Sequence, residues 1–413
     1  MVKRSKTSRA SKNQGVKVER LVLVKYGELF LKSDPVRRRY EKRLKENIRI
    51  GLKLAKVKNF KIVRPRGRFF LYVPEKKLEA TCKVLEKTFG IVSFAPCWHL
   101  RTSSAKEIQK FVKKNYKNWI ERGKTFAARV KRSGTQTHKN TNYTSMQLAK
   151  LIGDVVDRNV NLNKPDVTIF VEVKDDDSYV YTSSDTRKGP GGMPVGTSGK
   201  VVALLSGGID SAVAAWMMMK RGCRIIALYA DNGSYISNKK KSLERVKNVL
   251  KVLQSWSAGW KIPLFIFDHG RNLGRFLKRK DVTEKFVCLL CKRMMYRVAN
   301  VLAEQQDAKA VVTGETLGEV ASQTLDNLVV LDETSKLPVF RPLIGNDKQE
   351  NIDLAKRIGT YETSISVGGK CRAVPAAPRT KGRLSEIMQI ESKLPMKKLL
   401  RESVKSIKSV KSI

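Results

Sequence analysis

Residues 201–216, VVALLSGGIDSAVAAW, set an aliphatic run against Ser206, Gly207, Gly208, Asp210 and Ser211 and then continue as a small-residue segment. The apolar run fits a buried parallel strand, and Ala212–Met219 fits a helix lying back on a sheet, so the Ser-Gly-Gly corner opens onto a helix N-terminus. That is a phosphate-site geometry. Two glycines let the backbone come close to a ligand, and unpaired N–H groups at the helix start favour an anion. The loop lacks both the lysine of a Walker-type loop and the third glycine of a dinucleotide fingerprint. The six residues by themselves also fit a plain glycine turn capped by Asp or Ser.

Sulfur is the second chemistry the residues offer. Of six cysteines, Cys82, Cys97 and Cys223 lie in apolar or element-edge contexts and read as core. Cys288 and Cys291 form FVCLLCKR at a helix start, where the neighbouring Lys292 and Arg293 would favour thiolate; Cys371 sits in GGKCRAVPAAPR. In an intracellular chain such cysteines more often bind metal or catalyse than form disulfides. A structural zinc site wants four ligands, and three cysteines are on offer, with His269 either a fourth donor or a structural histidine. Three thiolates on an iron–sulfur cluster would leave one iron open to bind sulfide and deliver it to an activated carbon.

The 413 residues suffice for two or three domains with an ample core, 41% of them hydrophobic. No apolar run approaches a membrane span and the N-terminus has no signal-peptide core, so a cytoplasmic location with no membrane partner is expected. Lysine and arginine outnumber aspartate and glutamate 83 to 38, a formal excess of +45 that points to a polyanion, nucleic acid above all. A general basic bias in a heat- or salt-adapted organism is the other source of such a charge.

The elements that must position these residues follow from periodicity. Residues 1–17 are basic and aperiodic, a flexible arm. From Val18 the order strand, basic helix, hairpin, helix predicts a small α+β domain of split-βαβ type. From about residue 91 a second α/β unit carries basic edges and ends in two strands joined by the acidic turn Asp175–Asp177. DTRKGPGGMPVGTSGK is a Gly/Pro linker. Beyond it, strands at 201–205, 224–230, 262–267 and 309–313 alternate with helices at 211–221, 239–256 and 290–305, the order of a doubly wound parallel sheet. Ligands of such sheets sit at the strands' carboxyl ends, where both the Gly-Gly turn and Thr313-Gly314-Glu315 fall. The basic tail is expected to fray.

SGG-x-D-S after a strand resembles the pyrophosphate loop of the PP-loop ATPases, which cleave ATP between the α- and β-phosphates and transfer AMP. Over longer stretches the chain resembles the tRNA 4-thiouridine synthetases, also called tRNA sulfurtransferases or the ThiI family. The resemblance rests on KYGELFLKS at 25–33, RKGPGGMPVGTSGKVVALLSGGIDSAVAAWMMMKRG at 187–222, VVTGETLGEVASQTLDNL at 311–328 and RPLIGNDKQENIDLAKRIGTYETSI at 341–365. It runs from about residue 19 to 385.

The resemblance implies an α/β protein: a ferredoxin-like domain over 18–90, an RNA-binding THUMP domain over 91–186, the linker to residue 200, a doubly wound PP-loop domain over 201–395, and a basic tail. It implies that the chain holds tRNA, adenylates uridine 8 at O4 with ATP and Mg2+, and replaces the oxygen with sulfur. Matched position by position, Ser206, Gly207, Gly208, Asp210 and Ser211 would hold the pyrophosphate, with Asp210 also catalytic. Leu204, Leu205, Tyr229, Ala230, Lys292 or Arg293, Gly314 and Gln323 match the nucleotide contacts. Taken singly, the two leucines read equally well as core and Gln323 as an ordinary helix residue. Ala212 stands where the family often has proline, and Glu319 where glutamine is common.

Cys371 matches the family's catalytic cysteine. Members with the C-x-x-C pair and no rhodanese domain resemble cluster-dependent enzymes, and this chain stops about 40 residues after Cys371. An iron–sulfur cluster on Cys288, Cys291 and Cys371 is therefore the expected sulfur device. A Cys371 persulfide resolved by Cys288 or Cys291, and a structural zinc, are the other readings. Implied partners are tRNA, a sulfur donor (sulfide or a cysteine desulfurase) and a second copy in a homodimer. Two other functions fit parts of the sequence: a non-catalytic tRNA-binding protein with a degenerate nucleotide site, and a sulfur carrier for thiamine thiazole synthesis.

Overall fold

A computed structural model describes residues 16–64, 67–133, 143–279 and 284–410, so nearly all of the expected basic arm lies outside the described residues. In chain order the first half runs β1 (Val18–Tyr26), α1 (Asp34–Leu54), β2 (Lys61–Val63), β3 (Arg68–Tyr72), α2 (Leu78–Glu86), β4 (Ile91–Leu100), α3 (Ala105–Trp119), β5 (Phe126–Ser133), α4 (Ser145–Gly153), β6 (Val167–Lys174), β7 (Asp177–Thr182) and β8 (Arg187–Lys188). The second half runs β9 (Lys200–Leu204), α5 (Ile209–Lys220), β10 (Arg224–Asp231), α6 (Lys239–Trp256), β11 (Leu264–Asp268), α7 (Gly270–Leu277), α8 (Val287–Gln305), β12 (Val311–Val312), α9 (Leu325–Asp332), β13 (Val339–Phe340), α10 (Lys348–Ile358), α11 (Tyr361–Ile365), α12 (Leu384–Ser392), α13 (Met396–Lys405) and β14 (Lys408–Val410).

These elements gather into two compact units. One takes the chain up to Lys25, Val57–Lys83 and Ser93–Lys188; the other takes Tyr26–Lys56, Val84–Val92 and everything from Gly189.

The first unit is built on a sheet of order β2-β3-β1-β4-β7-β6-β5, with β8 added to β4. Leu21 and Leu23 of β1 pack with Phe70, Cys97, Tyr179 and Tyr181. In α3, Ile108, Val112 and Tyr116 recur at four-residue spacing, which aligns them on one face, and all three are buried with Ile169 and Val171 of β6. The hairpin between β6 and β7 closes with Lys174 opposite Asp177, and Asp175 takes the left-handed conformation such a tight turn demands. α4 starts in a capping box between Thr144 and Gln147.

The second unit is the doubly wound sheet, of order β13-β12-β9-β10-β11-β14. Pairing is parallel except for β14, which runs antiparallel to β11. Successive side chains of a strand face opposite sides, and here each side has its own core. Val201, Ala203 and Leu205 pack with α5 and α6, whereas Val202 and Leu204 pack with α8 and its neighbours. Burial on both faces is why these strands read as continuous apolar runs. Helix α1 also belongs to this unit: Asn47 donates to the Val195 carbonyl at 3.1 Å, and Arg43 stacks over Trp260.

One expectation is overturned. The C-terminal stretch does not fray within the described residues. Leu399 is buried in the α8-side core, and residues 408–410 close the sheet edge beside β11. The basic tail is an amphipathic helix followed by a short strand.

Candidate active site

The Gly-Gly corner is a preformed turn. Gly207 sits at φ +78°, and a Cβ there would press on Val246 at 3.1 Å, so glycine is required on both counts. Gly208 caps α5 and offers no side chain to its orphan N–H groups. The serines hold the turn instead of filling it. Ser206 and Ser211 hydroxyls lie 3.1 Å apart, the Gly208 N–H donates to Ser206 Oγ at 3.3 Å, and Ser211 Oγ donates to the Gly208 carbonyl at 3.1 Å.

This corner opens into a pocket of about 240 Å3 lined by Leu204, Ser206, Gly208, Asp210, Ser211, Lys292, Met295, Tyr296, Thr313, Gly314, Glu315 and Gln323. Roomier hollows exist in the same unit, but this one joins a helix start, a cation and an unpartnered acceptor. Gly314 lies against the start of α5: a Cβ there would stand 2.5 Å from the Asp210 carbonyl carbon and 2.6 Å from the Ser211 nitrogen. Gln323 ends the single 3-10 helical turn Ala321–Gln323; it is nine-tenths buried, and its Oε1 has no partner among the described residues. A buried acceptor without a donor is costly unless a ligand supplies one.

The other expected nucleotide contacts divide. Leu205 is buried in the α5-side core, as its apolar reading allowed. Tyr229, whose hydroxyl has no partner among the described residues, and Ala230 sit at the end of β10 and do not line this pocket. Lys292 reaches the pocket and bonds Glu315 at 2.8 Å. Arg293 does not: it is 1% exposed and held by Glu391, Glu333 and the Val330 carbonyl, a core brace between α8, α9 and α12.

Two charged clusters missing from the sequence reading complete the site. Lys348, in the first turn of α10, lies 2.8 and 3.0 Å from the two Asp210 oxygens and 2.6 Å from Glu319. Burial opposes the lysine's charge, but its bonds to Asp210 and Glu319 raise its pKa overall. Glu319, the departure from the family's glutamine, thus shares a cation with Asp210. Asn351 adds its amide at 3.4 Å from Asp210. The second cluster centres on Glu315, 4% exposed, which accepts from Lys292, Arg341, Tyr296 and Thr313. Burial pushes this carboxyl up, yet Lys292 and Arg341 outweigh it and bring it down to about 2. A helix-start signature was visible around Lys348, because Asp347 and Glu350 form a capping box. Its partner 138 positions away was not.

Cys288 and Cys291 sit where α8 begins. Cys82, Cys97 and Cys223 are buried, while Cys288 and Cys291 are half-buried and Cys371 is exposed. The cations beside the pair do not favour thiolate as expected: burial dominates over Lys292 and pushes both thiols up, and Arg293 points away. Cys371 rides on a strand-like segment bridged to Ile236, with the Arg372 N–H donating to the Tyr235 carbonyl and the Asn232 amide 3.9 Å from its sulfur. Gly369 is needed there, since a Cβ would meet Ile236 and Asn238. His269 Nε2 lies 3.1 Å from Cys291 Sγ, and burial draws this imidazole down to about 3, so it is neutral. Among the described residues, no three His, Cys, Asp or Glu are gathered closely enough to hold a metal ion, and no helix is long and apolar enough to cross a membrane.

The chain is similar to known proteins over most of its length. Family models match for the ThiI ferredoxin-like domain over residues 21–95, the THUMP domain over 102–183 and the thiamine biosynthesis protein (ThiI) over 196–396. The chain is 38% identical over 402 residues to a "Probable tRNA sulfurtransferase" of Methanosarcina mazei, covering 95% of each protein. It is 38% identical over 391 residues to the protein of the same name from Methanothermobacter thermautotrophicus, covering 92% of this chain and 95% of that one. Among solved structures it is similar to a 4-thiouridine synthetase in complex with RNA and with bound ATP, at TM-score 0.82 and 32% identity over 95% of this chain and 99% of that one. It is also similar to PH1313 from Pyrococcus horikoshii Ot3, at TM-score 0.62 and 25% identity over 82% of this chain and 99% of that one.

Proposed function

This chain belongs to the ThiI family of tRNA sulfurtransferases, and from that premise we propose how its residues convert a tRNA uridine to 4-thiouridine. The observation that carries the proposal is the pocket at the Gly207-Gly208 corner, with an uncapped helix start, Lys348 on Asp210 and an unpartnered Gln323 acceptor.

ATP binds with its β- and γ-phosphates on the corner, where the N–H groups at the start of α5 attract the negative charge. Gln323 and the strand end at Leu204 take the nucleoside side, and Lys292 adds a cation held in place by Glu315. Tyr229, Ala230 and Arg293 do not line this pocket. Uracil O4 of uridine 8 attacks the α-phosphate, and pyrophosphate leaves into the loop. Oxygen is a poor leaving group from a pyrimidine carbonyl; once it carries AMP, departure becomes loss of a phosphate ester. Lys348 supplies positive charge where charge develops on the phosphates. Mg2+, which binds through one or two carboxylates plus substrate phosphates, would be held by Asp210 and would screen the phosphate charge.

Sulfur then reaches C4 from the cysteine face: a cysteine desulfurase hands its sulfane sulfur to the exposed Cys371 thiol, and the outer sulfur of that persulfide attacks C4 as AMP leaves. The thiol of Cys288 or Cys291 then attacks the Cys371 sulfur, which frees 4-thiouridine and leaves a disulfide that a dithiol reductant reopens. Three soft thiolates suit an iron–sulfur cluster by donor type, but the spacing of Cys288, Cys291 and Cys371 here does not form a closed ligand set. The excess of basic residues suits an RNA held by backbone and shape.

Asp210→Ala and Cys371→Ser test the assignment. Each is expected to abolish 4-thiouridine in tRNA while leaving tRNA binding in place, and thiolation at the native level in either variant refutes it.

A further inference from the structure

His269 is fully buried and fixed from both sides. Its backbone N–H donates to the Asp231 carbonyl at 2.8 Å and its own carbonyl accepts from Asn272 at 3.0 Å, so the ring leaves the end of β11 in one direction. Asn272 is 1% exposed, and its amide donates both to His269 Nδ1 at 3.1 Å and to Ser403 Oγ at 2.8 Å. A ring nitrogen that accepts from an amide carries no proton, so the proton of a neutral imidazole belongs on the other nitrogen. That nitrogen, Nε2, lies 3.1 Å from Cys291 Sγ. Ser403 comes from α13, in the stretch whose sequence promised only a frayed tail.

We propose that His269 is a positioning residue for the sulfur chemistry: the chain Ser403–Asn272–His269 fixes one imidazole tautomer, whose Nε2–H holds the Cys291 sulfur in place as a hydrogen-bond acceptor. This gives the half-buried pair and the exposed Cys371 different roles. Cys291 is anchored inside by an N–H···S bond, and Cys371 is the sulfur free to meet the RNA. An orienting partner behind a metal ligand typically affects activity about 10- to 100-fold when removed, and a partner that fixes a reacting sulfur is expected to act on the same scale. A buried histidine that merely fills the core would show the same burial but no dependence on Cys291.

The proposal rests on the function argued above, and its test separates the two. The full chain has three histidines, so labelling histidine with 15N leaves a spectrum in which His269 is the signal lost in His269→Gln. We expect His269 in the Nε2–H tautomer, and that signal to move in Cys291→Ala; a proton on Nδ1, or no response to Cys291→Ala, overturns the inference. This reading needs no turnover. A wild-type chain that releases no pyrophosphate with ATP and tRNA therefore refutes the function, while the imidazole still decides the inference. In turnover, His269→Leu should lower 4-thiouridine formation about 10-fold or more with pyrophosphate release unchanged, and His269→Gln, which keeps an N–H donor, should recover part of it. Equal loss of both steps in the two variants, or no loss in His269→Leu, would count against the role.

Discussion

The nucleotide pocket and the cysteine face begin on the same turn of α8, at Lys292 and Cys291, yet they are held in opposite ways. Around the pocket nearly every charge is matched: Glu315 has four donors, Lys348 has two carboxylates, and the serines of the loop bond the loop itself. At the cysteine face, burial keeps two thiols protonated and the third is exposed. Electrostatic preorganisation suits a step in which phosphate charge must be stabilised at once. An accessible sulfur suits a step in which a donor must first deliver its atom. The difference teaches that adenylation and sulfur transfer should fail separately.

The largest break in this comparison is between Asp210→Ala and Cys371→Ser. The first should lose pyrophosphate release and thiolation together, a drop of at least about 100-fold for a group acting on developing charge. The second should lose thiolation alone. Measuring both products in one reaction checks this, and pyrophosphate release lost in Cys371→Ser would merge the two sites.

Glu315→Gln should cost about 3 kcal/mol of stability, because it leaves the half-buried Lys292 without its carboxylate and Arg341 with Asp332 alone. The pH dependence has a definite sign. With its folded-state pKa pressed down from 4.5 to about 2, Glu315 contributes stability above about pH 4.5 that is lost as pH falls toward 2. Chemical denaturation across this window should show a shallower acid loss in Glu315→Gln than in the native chain.

Gly314→Ala should cost about 1–3 kcal/mol by pushing the start of α5 out of position. It should impair pyrophosphate release while Cys371 keeps its native alkylation rate, as mass spectrometry would report. The smallest effect is expected from Glu319→Gln. Lys348 is partly exposed and keeps Asp210, so stability should change by under about 1 kcal/mol in thermal melts.

The parallel sheet was legible because its strands are buried on both faces and so write themselves as apolar runs. The Gly207-Gly208 corner was legible because positive φ and close approach leave few other residues possible. Lys292 and Arg293 were not separable by sequence: both follow the cysteine pair, and only the helix phase sends one to the pocket and the other to Glu391. Lys348, Arg341 and Asn272 were missed since their partners come from distant elements, and ion pairs leave no periodic trace. The tail misled for a physical reason. Its few apolar residues look too sparse for a core, yet Leu399, with Met396 and Leu400 beside it, seats one face of a helix whose other face is lysine and arginine in solvent.

The central claim is that the glycine corner receives pyrophosphate from ATP when the RNA base is adenylated. Incubating the full chain with ATP labelled in the γ-phosphate and an unmodified tRNA transcript, without any sulfur source, tests it directly. The account predicts RNA-dependent labelled pyrophosphate from the native chain and from Cys371→Ser, and none from Asp210→Ala; release of orthophosphate in its place, or no RNA-dependent release, would contradict it.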